Sequence, residues 1–234
     1  MSGINDSNRS KEVTLRAITL QDLPAVAGVH LDSFPKSALS RLGSSIVERY
    51  YHWQLEGPHR KVWAVGAFLD GECVGYSFSG DFNGSTSGFL RRNRGYLAGM
   101  IMLRPWLLFD PFFFDRFRSG LKLLAFRRNK KAGESASGVE PKPRSYGILS
   151  IAVARKYQKF GIGKIMMLDA EREATGCEFT QMHLTVSPEN EKAIRFYEGL
   201  GWVRKDDNGD WHGLMVKQLA AQGIRSSQTV TTRS

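Results

Sequence analysis

Gln158-Lys159-Phe160-Gly161-Ile162-Gly163 is the stretch whose residue types and spacing are most suited to chemistry. Tyr146-Gly147-Ile148-Leu149-Ser150-Ile151-Ala152-Val153-Ala154 precedes it and reads as an apolar strand. Lys164-Ile165-Met166-Met167-Leu168-Asp169-Ala170-Glu171-Arg172-Glu173 follows it, with apolar residues at helical spacing. A strand therefore feeds a glycine-bearing turn that opens a helix. Glycine takes dihedrals that other residues resist and lets a ligand approach the backbone closely. The first N–H groups of a helix have no internal partner and lie at the positive end of its dipole. The stretch reads either as an anion site suited to a pyrophosphate or as a plain tight turn. It is not the dinucleotide fingerprint, because Met166 stands at the place of the third glycine. It is not a Walker loop, because no Gly-Lys-Ser/Thr follows four spacer residues.

A second constellation lies downstream. His183-Leu184-Thr185-Val186-Ser187 alternates as a strand does, and Pro188 ends it. Ser187 or Asn190 can cap the helix that follows, and Gly199 or Gly201 can end it. Asn190, Ala193 and Tyr197 recur at i, i+3, i+7 and share one face of that helix. With these residues in order, the chain resembles the GNAT superfamily of acetyl-CoA-dependent N-acetyltransferases. Gln158-x-x-Gly161-x-Gly163 is similar to the family's pyrophosphate loop. Asn190-x-x-Ala193-x-x-x-Tyr197, followed by Gly199-Leu200-Gly201-Trp202, is similar to its second motif.

The elements that must position these residues can be read along the chain. A strand is expected over 13–18, then a helix from Thr19, with Thr19 as its cap and Asp22 near its positive end. A second helix is expected over 38–55, with irregular backbone at Pro35 and Gly43. Strands over 60–69 and 72–79 join at Asp70-Gly71, a strong hairpin signal. A last hairpin should turn near 207–210. This order predicts an α/β fold, a mixed, twisted sheet with helices on both faces. The acetyltransferase-like domain is expected over 13–218, with an insertion at about 82–144. Residues 1–12 and the Ser/Thr/Gln-rich tail 219–234 are expected to be flexible.

The chain has 234 residues, 41% of them hydrophobic, ample for a core, and a formal net charge of +10. Residues 88–144 hold thirteen Lys and Arg against four Asp and Glu, a net of +9, so the rest is almost neutral. The same segment is apolar around Trp106 and Phe112-Phe113-Phe114, but Arg104, Pro105 and Asp110 break its runs far short of a bilayer span. It reads either as a helical subdomain packed on the core or as an interfacial element on anionic lipid over 88–131. No nucleic-acid motif accompanies the charge. Cys73 and Cys177 form no CxxC pair and no metal-ligand spacing, and the first dozen residues are polar. A reducing, cytoplasmic setting with membrane association through the insertion is expected.

The resemblance implies the chemistry. Acetyl-CoA would be the donor. The backbone of Ile151, Ala152 and Val153 would pair with its pantetheine amides, and one N–H there would face the thioester oxygen. The N–H groups of Gln158, Lys159, Phe160, Gly161, Ile162, Gly163 and Lys164 would hold the pyrophosphate. Arg155 and Lys156 could meet the 3′-phosphate or simply be solvated. Asn190 would touch the cofactor arm or cap its helix. Tyr197 would be the general acid, since a phenol holds its proton at neutral pH. The base is less evident, because 146–150 carries no carboxylate. Asp81, His183 and His30 are the candidates, in that order, beside an ordered-water relay. The expected acceptor is a primary amine on a small molecule such as an amino sugar. The rivals are a protein α-amine or lysine, and a non-catalytic acyl-CoA-binding module docked on a membrane.

Overall fold

The protein is described by a computed structural model that covers residues 12–58, 61–82, 85–109, 145–206 and 209–219. The chain runs β1 (Thr14–Ala17), α1 (Leu23–Ser33), α2 (Ala38–Leu42), α3 (Ser44–Glu56), β2 (Lys61–Leu69) and β3 (Glu72–Asp81). It continues through α4 (Ser85–Arg92), α5 (Arg94–Met102) and a single-turn helix (Pro105–Phe109) to β4 (Ser145–Val153). Then come α6 (Ile162–Gly176), β5 (Gln181–Thr185), α7 (Glu191–Glu198), β6 (Val203–Arg204) and β7 (Leu214–Gln218). The expected flexible end at 1–11, the insertion from 110 to 144, the turn residues 207–208 and the tail from 220 lie outside the described residues.

The seven strands form one sheet in the order β1-β2-β3-β4-β5-β7-β6. Among the described residues only β4 and β5 run parallel. A parallel pair needs a crossover, and α6 supplies it. Asp70 and Gly71, at φ 51° and 82°, make the tight turn that aligns β2 with β3. β2 and β3 are buried on both faces over most of their length.

One face of the sheet carries α1 and α3, with Val26, Ile46, Val47 and Tyr51 packed on Tyr76 and Phe78. The other carries α6 and α7, with Met167, Ala170, Ala174 and Ile194 packed on Tyr146, Met182, Leu184 and Met215. Trp63 Nε1 donates to the buried Asp169 of α6 at 2.8 Å, and Lys217 reaches Glu171 at 2.7 Å. These two contacts fix α6 against the sheet.

The helix expected over 38–55 is two helices. Gly43 sits between them at φ 100°, a conformation that L side chains rarely adopt, and the chain changes direction there. Thr19 stands at the N-cap position as expected, but its N–H and hydroxyl both donate to the Asp22 carboxylate, at 2.9 and 2.8 Å, and its side chain accepts no helix N–H. The described part of the insertion, 85–109, is helical. Phe89, Leu90, Tyr96, Leu97, Met100 and Ile101 pack on the core.

Candidate functional site

β4 and β5 are paired only over Ser145–Ile148 and Gln181–Leu184. Beyond that point β4 continues to Val153 on the β3 side alone. The two parallel strands are unpaired past Ile148 and Leu184, and the open edge between them is the candidate cleft. At the parting the register shifts, with Phe78 opposite Ser150 and Ser79 opposite Ile148, so Leu149 is an extra residue. Such a bulge re-aims side chains. Leu149 packs on the α1/α3 core, and the next residue, Ser150, bonds to tyrosines on that same face. Ile151, Ala152 and Val153 line the open part of β4. Ser33 Oγ and the Gln158 side chain hold the Val153 carbonyl at 3.2 and 3.0 Å.

The glycine turn leads from this cleft into α6. Gly161 is its N-cap residue, left-handed at φ 79°, and Lys159 is also left-handed at φ 72°. Alternation of this kind curls successive N–H groups into a concave nest. The first helical bond of α6 is Ile165 N–H to Gly161 C=O. The N–H groups of Ile162, Gly163 and Lys164 thus point out of the helix start with no intrahelical acceptor. Gly163 has a second role. A Cβ there would stand 3.3 Å from Phe196, so its absence lets α7 approach the start of α6.

Asn190 caps α7, its side chain accepting from Ala193 N–H at 3.2 Å. Seven residues on, Tyr197 packs edge-to-face on Phe196 and against Trp202. Burial pushes its phenol up to about 12, so it holds its proton throughout the neutral range. Arg155 and Lys156 are both engaged: Arg155 N–H donates to Asp32 at 2.6 Å, and Lys156 bonds Glu72 at 2.8 Å. Lys159 and Lys164 remain exposed beside the nest.

At the closed end of the cleft, His183 of β5 lies across Gly147 of β4. A Cβ on Gly147 would stand 3.0 Å from the ring. Ser145 Oγ bonds His183 Nδ1 at 2.7 Å. Burial lowers the His183 pKa, and the charge of Asp81, at the end of β3, opposes that shift. The ring is therefore the free base at neutral pH. His30 is placed differently. It is buried, and Tyr51, Tyr76 and Ser37 engage both its nitrogens.

A sequence model of the acetyltransferase (GNAT) family matches residues 28–202, three quarters of the chain. The chain belongs to the GNAT family. Solved structures agree on the fold. It resembles the PaiA N-acetyltransferase of Thermoplasma acidophilum, solved with coenzyme A, at 13% identity and TM-score 0.52, over 88% of this chain and 99% of that one. It resembles the ribosomal-protein-S18-alanine N-acetyltransferase of Escherichia coli at 14% and 0.51, over 92% and 98%. It resembles the aminoglycoside N-acetyltransferase AAC(6′)-Iy, solved with CoA, at 13% and 0.52, over 86% and 93%. No curated protein sequence matches.

As a GNAT enzyme the protein is an acyltransferase with acetyl-CoA as donor. The start of α6 lies against both α7 and β4, since a Cβ on Gly163 would stand 3.3 Å from Phe196 and 3.9 Å from Val153. Asp81 lies near enough for its charge to act on His183. Sequence reading missed Ser145, Ser150, Tyr51 and Tyr76. Ser150 left a faint signal, as a hydroxyl in an otherwise apolar strand. The tyrosines left none, because they look like ordinary core aromatics.

Proposed function

We propose that the protein transfers the acetyl group of acetyl-CoA to a primary amine of a small molecule, an amino sugar held on a nucleotide or a lipid. The observation that carries the reading is the convergence of three features: the open edge of β4, the N–H nest at Gly161, and the protonated Tyr197 one helix away. In this reading the backbone of Ile151, Ala152 and Val153 holds the pantetheine arm. The N–H groups from Gln158 to Lys164 take the pyrophosphate, helped by the Lys159 and Lys164 charges. His183, with its Nδ1–H given to Ser145, takes a proton from the amine at Nε2, and Asp81 stabilises the resulting cation. The amine nitrogen bonds the thioester carbon and the C–S bond breaks. Tyr197 gives its proton to the departing thiolate and is reprotonated from solvent. Asn190 acts as a cap.

An acceptor panel tests this reading. Turnover of amino-sugar nucleotides or amino sugars supports it, and turnover of peptide amines alone overturns the acceptor class. Acetyl-CoA binding without turnover of any amine would leave the non-catalytic module standing.

The same reading includes docking on anionic lipid. Residues 85–109 hold four arginines and no acid. Met102, Leu103, Trp106 and Phe109 are 83, 74, 62 and 86% exposed. The opposite face of α5 is fixed to the core, where Tyr96 bonds Ser45 at 3.0 Å and Arg104 bonds the Leu42 carbonyl. A rigidly presented apolar ridge with basic neighbours suits a membrane interface. No helix among the described residues is long and apolar enough to cross a bilayer. Pelleting with phosphatidylserine vesicles should be lost in a Trp106→Ser/Phe109→Ser variant. Equal pelleting of that variant would remove the ridge from the reading. Loss in high salt alone would leave only the charges.

A further inference from the structure

A chain of hydrogen bonds runs from the cleft to the α1–α2 connection, and its direction can be worked out from one end. Ser40 Oγ donates to the Phe34 carbonyl at 2.7 Å, and a carbonyl can only accept. A hydroxyl has one proton, so in the 2.9 Å bond between Ser37 and Ser40 it is Ser37 that donates. With that proton used, the 3.1 Å contact between Ser37 Oγ and His30 Nε2 requires Nε2–H as donor. Burial pushes the His30 imidazole down to about 4, so at neutral pH it carries a single proton. Nδ1 is then a bare acceptor. Tyr51 and Tyr76 lie 2.9 and 3.0 Å from it.

The remaining groups form a triangle. The two phenols are 2.7 Å apart, and Ser150 Oγ lies 3.0 and 3.1 Å from them. In the arrangement that satisfies every donor inside the protein, one phenol gives its proton to Nδ1, the other gives its proton to the first phenol, and Ser150 gives its proton to a phenol. Every proton then points away from β4. Ser150 Oγ is left with only lone pairs for the cleft. Donating along such a chain also strengthens it as an acceptor. Ser150 stands beside the Leu149 bulge, next to the open part of β4.

Building on the acetyl-transfer reading above, we propose that Ser150 accepts a hydrogen bond from the acceptor amine, and that His30 is the positioning residue that sets the polarity of that hydroxyl. His30 touches no substrate. It acts through Tyr51 and Tyr76. Its Nε2–H bond to Ser37 makes the setting depend on the connection that leads into α2. An amine held by one N–H keeps its lone pair free for attack on the thioester carbon.

Two measurements on the full chain test this. In 15N-histidine-labelled protein, the His30 ring should show the neutral Nε2–H tautomer from pH 6 to 8. An Nδ1–H tautomer or a protonated ring overturns the proposal, whether or not an acceptor is known. The second measurement uses steady-state kinetics with glucosamine as the amine probe, and titration with acetyl-CoA. Ser150→Ala and His30→Gln should each lower kcat/KM for the amine by roughly three- to tenfold, the scale of one net hydrogen bond. Acetyl-CoA affinity should not change. His30→Asn, whose amide oxygen falls near the place of Nδ1, should recover most of the loss. The double variant His30→Gln/Ser150→Ala should be no worse than Ser150→Ala within about twofold, because both act on one hydroxyl. Wild-type kinetics in Ser150→Ala, or losses that multiply, overturn the proposal. If His30→Gln does not fold, Tyr76→Phe removes a single oxygen of the chain and should show the same loss. Acetyl-CoA binding with no turnover of glucosamine by the wild type counts against the acceptor reading, and the tautomer then decides this one alone.

Discussion

Tyr197 and His183 illustrate how burial divides the proposed acid from the proposed base at the scale of single residues. The same desolvation that raises a phenol lowers an imidazole, since each resists its charged form. Tyr197 stays protonated and His183 stays neutral at the same pH. Tyr197→Phe should lower kcat on the order of 100-fold while leaving acetyl-CoA affinity unchanged, as read by steady-state kinetics and titration. The His183 pKa lies below the ordinary value of 6.5. The acceptor kcat/KM should therefore climb as pH rises through a value under 6.5 and be flat from there to pH 8. In His183→Gln that acidic limb should vanish, and the plateau should fall on the order of 100-fold. The pH profile checks both.

Elements decide whether such residues meet. Asn190 matched the family pattern as either a cofactor contact or a cap, and the structure places its side chain on Ala193 N–H. Asn190→Ala should cost about 1 kcal/mol of stability by denaturant titration, with acetyl-CoA affinity unchanged. A large loss of affinity with unchanged stability would return Asn190 to the cofactor. α6 depends on its start in a different way. Gly161 supplies a left-handed residue, and Gly163 supplies room for Phe196. The two glycines of one motif thus answer different physical demands, one conformational and one steric. The break at Gly43 has the same kind of cause. The apolar pattern runs straight through 38–55, but one positive φ divides it into α2 and α3.

At the scale of the whole molecule, the buried polar array carries a cost that pH reveals. His30 titrates at about 4 in the folded protein against an ordinary 6.5. Between those values the unfolded chain binds more protons than the folded one. The contribution of His30 to stability is complete above pH 6.5 and is lost as pH falls toward 4. At 1.36 kcal/mol per unit the loss is on the order of 3 kcal/mol. His183 acts in the same direction. Thermal unfolding should show the melting temperature falling between pH 6.5 and 4, and His30→Asn should flatten that slope. An unchanged slope in the variant would assign the loss to other groups.

The sequence by itself determined the order of elements, the hairpin at Asp70-Gly71, the glycine turn before α6 and the Asn190-to-Tyr197 face. All of these are local: turn dihedrals, caps and helical spacing act within a few residues. They were enough for the family and for one half of the candidate cleft. Only the tertiary structure decided the other half. Ser145 meets His183 from 38 residues away, and Ser150 meets Tyr76 and Tyr51 from 74 and 99. The bulge at Leu149 exists only as a mismatch between β3 and β4. Hydrogen bonds between distant side chains and a one-residue slip in strand register leave no periodic mark on a sequence. They become visible only once both strands are in place.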